Sequence, residues 1–288
     1  MDWPTPLVAE LGERRAVILM GAGASAASRS AEGRSPPTWI GLLDDLKGRT
    51  ALSEAESAAV TLAMTQGKLL DAAELLLAKI SAPELRTALR DLLLLPRFEA
   101  SPIHECVLEI DPKVVITTNY DTIYDEFCRR GRAADGYSVK THTSRDLLDE
   151  IRSTARVVIK AHGCVTDPQN VVLSRSQFFK AKAENPAFYS ILNSIFLTST
   201  VLFVGYSLTD PDISLVLESA NIAAPCAHPH YALIPAGMAE PLKRAVSKAY
   251  NIALLEYENV GGDHSHAIEA MKSLTEAVVA YRARYESD

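Results

Sequence analysis

The chain is 288 residues long and 48% hydrophobic, enough for one large α/β domain or two modest ones. Its formal net charge of −7 argues against a purely electrostatic nucleic-acid binder, which is normally basic. The opening stretch "MDWPTPLVAELGERR" lacks the basic-then-apolar layout of a secretion signal, and no apolar run approaches the roughly 18 residues of a membrane span, so a cytoplasmic protein is expected.

The first element is the apolar run "AVILM" (16–20), which ends in Gly21, Ala22, Gly23, Ala24 and Ser25. A short apolar run followed by glycines and a serine predicts a buried strand turning into a helix. From about Pro36 to Ser101 the pattern changes: "WIGLLDDL", "ALSEAESAAVTLAM", "LLDAAELLLAKI" and "APELRTALRDLLLL" space their apolar residues by three and four, the mark of amphipathic helices. Three further β-branched runs follow, "KVVITT" (113–118), "RVVIKA" (156–161) and "TVLFVG" (200–205), and two weaker ones, "YALI" (231–234) and "IALLEY" (252–257). Helices are expected between them in "YDTIYDEFCRR", "NPAFYSILNSIFLTS" and "DPDISLVLESANI", and at the end in "DHSHAIEAMKSLTEAVVAYRARY". The polar stretch 131–146 predicts a long surface loop.

Short, continuous apolar runs with helices between them predict a doubly wound, mostly parallel α/β sheet of Rossmann-like type. On this reading residues 1–35 and 106–288 form the sheet core, and 36–105 form a helical module inserted after the first strand, all within one domain of 1–288. Cys106, Cys128, Cys164 and Cys226 contain no Cys-x-x-Cys pair, so buried thiols are expected rather than zinc ligands.

In open α/β sheets ligands bind beyond the carboxyl ends of the strands, so the polar residues gathered there are candidates by position. Gly21, Gly23 and Ser25 form a turn where backbone can approach a pyrophosphate; the other reading is a tight structural turn. Asn119 and Asp121 in "TTNYD" straddle a strand-to-helix junction and serve a site or cap the helix. His162 in "KAHG" is a catalytic base or a structural histidine, and Gly163 after it leaves room for a substrate. Gly205 and Ser207 in "VGYSLTDPD" repeat the small-then-hydroxyl pattern; the other reading is that Asp210 or Ser207 caps the helix that Pro211 begins. Four such motifs in order, each ending a buried strand, make a site the better account of all of them.

Taken together, "GAGAS", "TTNYD", "KAHG" and "FVGYSLTDPD" resemble the sirtuin superfamily, and more closely its bacterial branch of NAD-consuming antiphage proteins. The resemblance implies that Gly21, Ala22, Gly23 and Ser25 lie at the NAD pyrophosphate, with Thr118 among the cofactor-binding residues. It also implies that Asn119 and Asp121 lie at the nicotinamide ribose, that His162 is the catalytic base, and that Gly205 and Ser207 lie at the adenosine ribose. "PPTW" (36–39) stands where sirtuins carry a Pro-Asp-Phe-Arg loop, but lacks its Asp and Arg. The four-cysteine zinc module and the acyl-lysine channel of deacylating sirtuins are not recognisable either. NAD hydrolysis to nicotinamide and ADP-ribose is therefore expected, with no zinc. The alternatives are a protein deacylase or ADP-ribosyltransferase, and a silent NAD or ADP-ribose binding module. The resemblance further implies restraint by homo-oligomerisation or by a partner chain, such as a short Argonaute-type sensor or a ring ATPase.

Overall fold

The computed structural model describes residues 1–130, 136–206, 217, 226–259, 262 and 264–285. Seven strands form one sheet: β1 (Val17–Met20), β2 (Val114–Thr117), β3 (Tyr137–Thr141), β4 (Arg156–Lys160), β5 (Val201–Val204), β6 (His230–Pro235) and β7 (Ile252–Tyr257). Their order is β3-β4-β2-β1-β5-β6-β7, and every neighbouring pair is parallel.

All four residues of β1, β2 and β5 are buried, because helices cover both faces of the sheet. Alternate side chains serve opposite layers. Val17, Leu19, Ile116, Ile159 and Phe203 enter one core, with Phe178, Phe188, Leu192 and Phe196. Those four belong to the helices Arg175–Glu184 and Pro186–Thr198. Ile18, Met20, Val115, Val158 and Leu202 enter the other, with residues of Thr5–Gly12, Pro102–Ile110, Ile123–Arg129 and Ser265–Tyr285. The result is a three-layer α/β/α sandwich.

The segment between Trp39 and Leu94 is helical in pieces: Trp39–Arg49, Glu54–Thr65, Leu69–Leu77, Ala82–Leu89 and a π-helical turn at Arg90–Leu94. Ser53 and Ser81 each open a helix through a reciprocal bond with a glutamate three residues on. Leu43, Leu46, Leu76 and Leu89 form a core of their own, joined by Val165, Val171 and Leu173 from the loop after β4. The helices therefore sit on the chain that leaves the carboxyl end of β4.

The expected loop at 131–146 is corrected by β3, which pairs with β4 from Tyr137↔Arg156 to Thr141↔Lys160. All five of its residues are only half-buried. An edge strand of that kind needs no apolar run, so its sequence reads as polar. The helix expected in "DPDISLVLESANI" lies outside the described residues, apart from Leu217. Among the described residues no helix is long and apolar enough to cross a membrane.

Candidate functional site

The chain leaves β1 toward β2 on one side and returns at β5 to build the other side. The sheet's direction of growth therefore reverses between β1 and β5, the place where open α/β sheets form their ligand crevice. Three glycines meet there. The amide of Gly21 donates to Val204 O at 3.0 Å, and that of Gly23 donates to Gly205 O at 2.8 Å. A Cβ on Gly21 would stand 2.5 Å from Gly205 O, and one on Gly23 would stand 2.8 Å from Gly205 Cα. Gly205 has φ 61, and a Cβ there would overlap the amide nitrogen of Ala24. These glycines let two strand ends touch backbone to backbone.

The short helix Ala22–Ser25 then brings Ser25, 2% exposed, under the end of β2. Asn119 Nδ2 donates to Gly21 O at 3.1 Å and to Ser25 Oγ at 3.3 Å. The carbonyl partner fixes which end of the carboxamide is nitrogen. Its oxygen accepts no hydrogen bond among the described residues. Ser25 Oγ donates to Asp121 Oδ2 at 3.4 Å, while Asp121 Oδ1 accepts from Ile123 N at 3.0 Å at the start of the next helix. Asp121 thus caps and also joins the cluster. Thr118 N donates to Met20 O at 3.4 Å, and Asn119 N donates to Thr117 Oγ1 at 3.1 Å, pinning the turn to β1 and β2.

His162 stands one strand away, just past β4. Its carbonyl accepts from Val172 N at 2.9 Å, and its ring lies 6.4 Å from that of Tyr120, whose hydroxyl donates to Val172 O at 2.9 Å. Gly163 has φ 84, and a Cβ there would overlap Asn170 O. The reading that Gly163 leaves room for substrate is therefore corrected: the space is taken by the chain's own loop. Ser207 and Asp210 lie outside the described residues. In "PPTW", Thr38 caps the helix Trp39–Arg49 by accepting from Gly41 N at 3.2 Å.

Two histidines escape sequence reasoning. His104 is 1% exposed, and its Nδ1 accepts from Ser101 N at 3.0 Å. The proton therefore sits on Nε2, which faces Ser25 Oγ at 3.5 Å. Burial is the first cause that pushes its pKa down to about 4; Asp125 opposes this and Lys160 adds to it. The only sequence signal was Ser101 three residues before it, a capping pattern with histidine in place of glutamate. His142 follows β3 and is 4% exposed, and its pKa is lowered by burial first and then by His162. Its Nδ1 has no hydrogen-bond partner among the described residues.

Keeping His104 neutral has a stability consequence. Below the ordinary histidine pKa the unfolded chain takes up a proton that the fold refuses until about pH 4. His104 therefore removes stability as pH falls from roughly 6.5 toward 4, by up to about 3 kcal/mol, and removes none above that window. His104→Gln, which retains a capping partner, flattens the decline in melting temperature between pH 7.5 and 5. His230, also pushed to about 4 by burial, leaves a residual slope in both proteins. Identical slopes would mean that His104 is not held neutral.

Among the described residues no group of three or more His, Cys, Asp or Glu side chains is placed to hold a metal ion. Cys106, Cys128 and Cys164 are buried and Cys226 is exposed.

Comparison with known proteins bears on this geometry. Residues 113–255 match a family model described as a SIR2-like domain, which takes in β2, β4 and β5 and so includes Asn119, Asp121 and His162. Defense-associated sirtuin 2 of Bacillus subtilis is 30% identical over 122 residues, 41% of this chain and 12% of that protein. NAD(+) hydrolase ThsA of Acinetobacter baumannii is 26% identical over 125 residues, 43% of this chain and 25% of that protein. The protein of the same name from Enterococcus faecium is 28% identical over 138 residues, 47% and 28% of the two. The matched segment thus spans well under a third of each of these relatives. With an all-parallel sheet and a SIR2-like match running from β2 into β7, residues 113–255 of this chain are similar to a SIR2-like domain.

Proposed function

We propose that this chain hydrolyses NAD to nicotinamide and ADP-ribose as an antiphage effector that depletes cellular NAD. The observation that supports it best is Asn119, clamped through its nitrogen to Gly21 and Ser25, with no donor to its oxygen among the described residues. Relatives named NAD(+) hydrolase and defense-associated sirtuin point the same way. In this reading the turn Gly21–Ser25 faces the pyrophosphate, Thr118 borders the ligand, and Gly205 with Ser207 borders the adenosine ribose.

The bond to break joins ribose C1′ to a cationic nicotinamide nitrogen. The departing nicotinamide takes the electron pair and leaves neutral, so no acid is needed. The transition state is oxocarbenium-like, as in glycoside cleavage. Asn119 Oδ1 accepts from a ribose hydroxyl or from the attacking water. Water oxygen bonds to C1′, and its proton passes to His162. Asp121, held against Ser25, favours the developing positive charge.

We further propose that residues 36–105 act as an inserted module of this one domain, that the protein is cytoplasmic, and that its activity is restrained by self-assembly or a partner chain. The test is purified protein incubated with NAD in the presence of EDTA, with and without an acyl-lysine peptide. Nicotinamide and ADP-ribose without peptide is the expected result, and chelation leaves the rate unchanged because no zinc is involved. Acyl-ADP-ribose formed only with peptide would replace hydrolysis by deacylation.

A further inference from the structure

Lys160 is the last residue of β4 and is 1% exposed, among the largest fully buried side chains of the protein. Such burial is rare for lysine, whose ammonium is strongly hydrated. By strand alternation it shares the face of Val158, in the core that also holds Tyr124 and Cys128. Its Nζ donates to Asp125 Oδ2 at 3.0 Å and to the backbone carbonyl of Asp121. Asp125 is 4% exposed on its side chain, so both charges are out of water. Burial disfavours the ammonium, but Asp125 foremost and Asp121 as well more than offset it, so the lysine stays charged.

A buried ion pair is a poor source of net stability, since apolar residues of similar volume often do as well. What this pair does that an apolar pair cannot is reach a backbone carbonyl. The turn that carries Asn119 is pinned at its start to β1 and β2 by Thr118 and Asn119. At its end Lys160 pins Asp121 to β4, two residues before His162. The bonds of Tyr120 also cross to this side, but they reach the loop after His162, at Val165 and Val172. Among these bonds of the described residues, that of Lys160 starts from the strand itself.

We propose that Lys160 is a positioning residue, fastening the Asn119–Asp121 turn to the strand of His162 and so setting the spacing of the two groups that act on the ligand. The link to catalysis rests on the hydrolase reading above; the fastening of the turn does not.

Three variants test it: Lys160→Met, Asp125→Leu and the two combined. Each single change leaves a buried charge without its partner and lowers the melting temperature. The double change removes both charges and restores most of it. In the double variant, amide hydrogen exchange in peptides covering 117–123 is expected to speed up at least about tenfold, while peptides of β1 and β5 keep their protection. The kcat for nicotinamide release falls at least about tenfold with KM changed less than about threefold, because positioning is lost and binding is not. Exchange in 117–123 that matches wild type would overturn the proposal whatever the activity. Faster exchange with an unchanged kcat would also overturn it. If the wild-type protein releases no nicotinamide, the hydrolase reading fails, and the exchange measurement still decides whether Lys160 fastens the turn.

Discussion

His162→Ala lowers the rate of nicotinamide release by about 10²–10⁴-fold while ADP-ribose affinity stays within about tenfold. A base acts in the chemical step and contributes little to ground-state binding, so the loss falls on kcat. The backbone carbonyl of His162 accepts from Val172 N and its ring stands beside Tyr120, and the Val172 bond does not depend on the ring. Asn119→Asp probes the other half of the site. The nitrogen that donates to Gly21 O and Ser25 Oγ becomes a carboxylate oxygen facing a carbonyl, and repulsion replaces attraction. That variant is expected to lose rate on the same scale and to weaken ADP-ribose as well, because the turn itself shifts. Calorimetric titration beside a nicotinamide-release assay separates the two patterns. A His162→Ala protein with wild-type rate would remove His162 from the mechanism.

Gly205→Ala is expected to be the most destabilising single methyl group at the site, by roughly 2–5 kcal/mol. The residue has φ 61, a conformation that costs any side chain, and its Cβ would overlap the amide of Ala24. Neither neighbour is a flexible side chain; both are backbone at the ends of central strands, so the strands have to part. Gly23→Ala meets the same obstacle from the other side, with Gly205 Cα at 2.8 Å, but without the strained φ, and is expected to cost less. In the fraction that remains folded, ADP-ribose binding should weaken for both variants, since the crevice between β1 and β5 has widened. Thermal melts at neutral pH with titration of the folded protein check this ordering. Equal melting temperatures for wild type and Gly205→Ala would show that the strand ends do not touch as described.

Much of this architecture was legible in the residues. β1, β2, β4 and β5 read as strands because central parallel strands are buried on both faces and so become continuous apolar runs. Their carboxyl ends read as a site because Gly21, Asn119, His162 and Gly205 interrupt those runs within two residues of each strand's end. β3 did not read as a strand, since an edge strand half-buried along its length carries no such run.

Other features depend on contacts between residues remote in sequence. His104 bonds to Ser25 across 79 positions, and Lys160 bonds to Asp125 across 35. Apart from the capping pattern that Ser101 begins, nothing local distinguishes either from an ordinary surface histidine or lysine; burial is the first cause of the neutrality of His104 and of the need of Lys160 for a partner. The glycines show the same division. "GAGAS" announces a turn by itself, because only glycine makes close backbone approach cheap. What approaches is decided by the sheet order, which sets β5 beside β1 and presses Gly205 against Gly21 and Gly23. Sequence determines which residues can bend, bury or ionise, since those are properties of the side chain. The fold decides which of them meet, since strand order brings together groups the chain holds far apart.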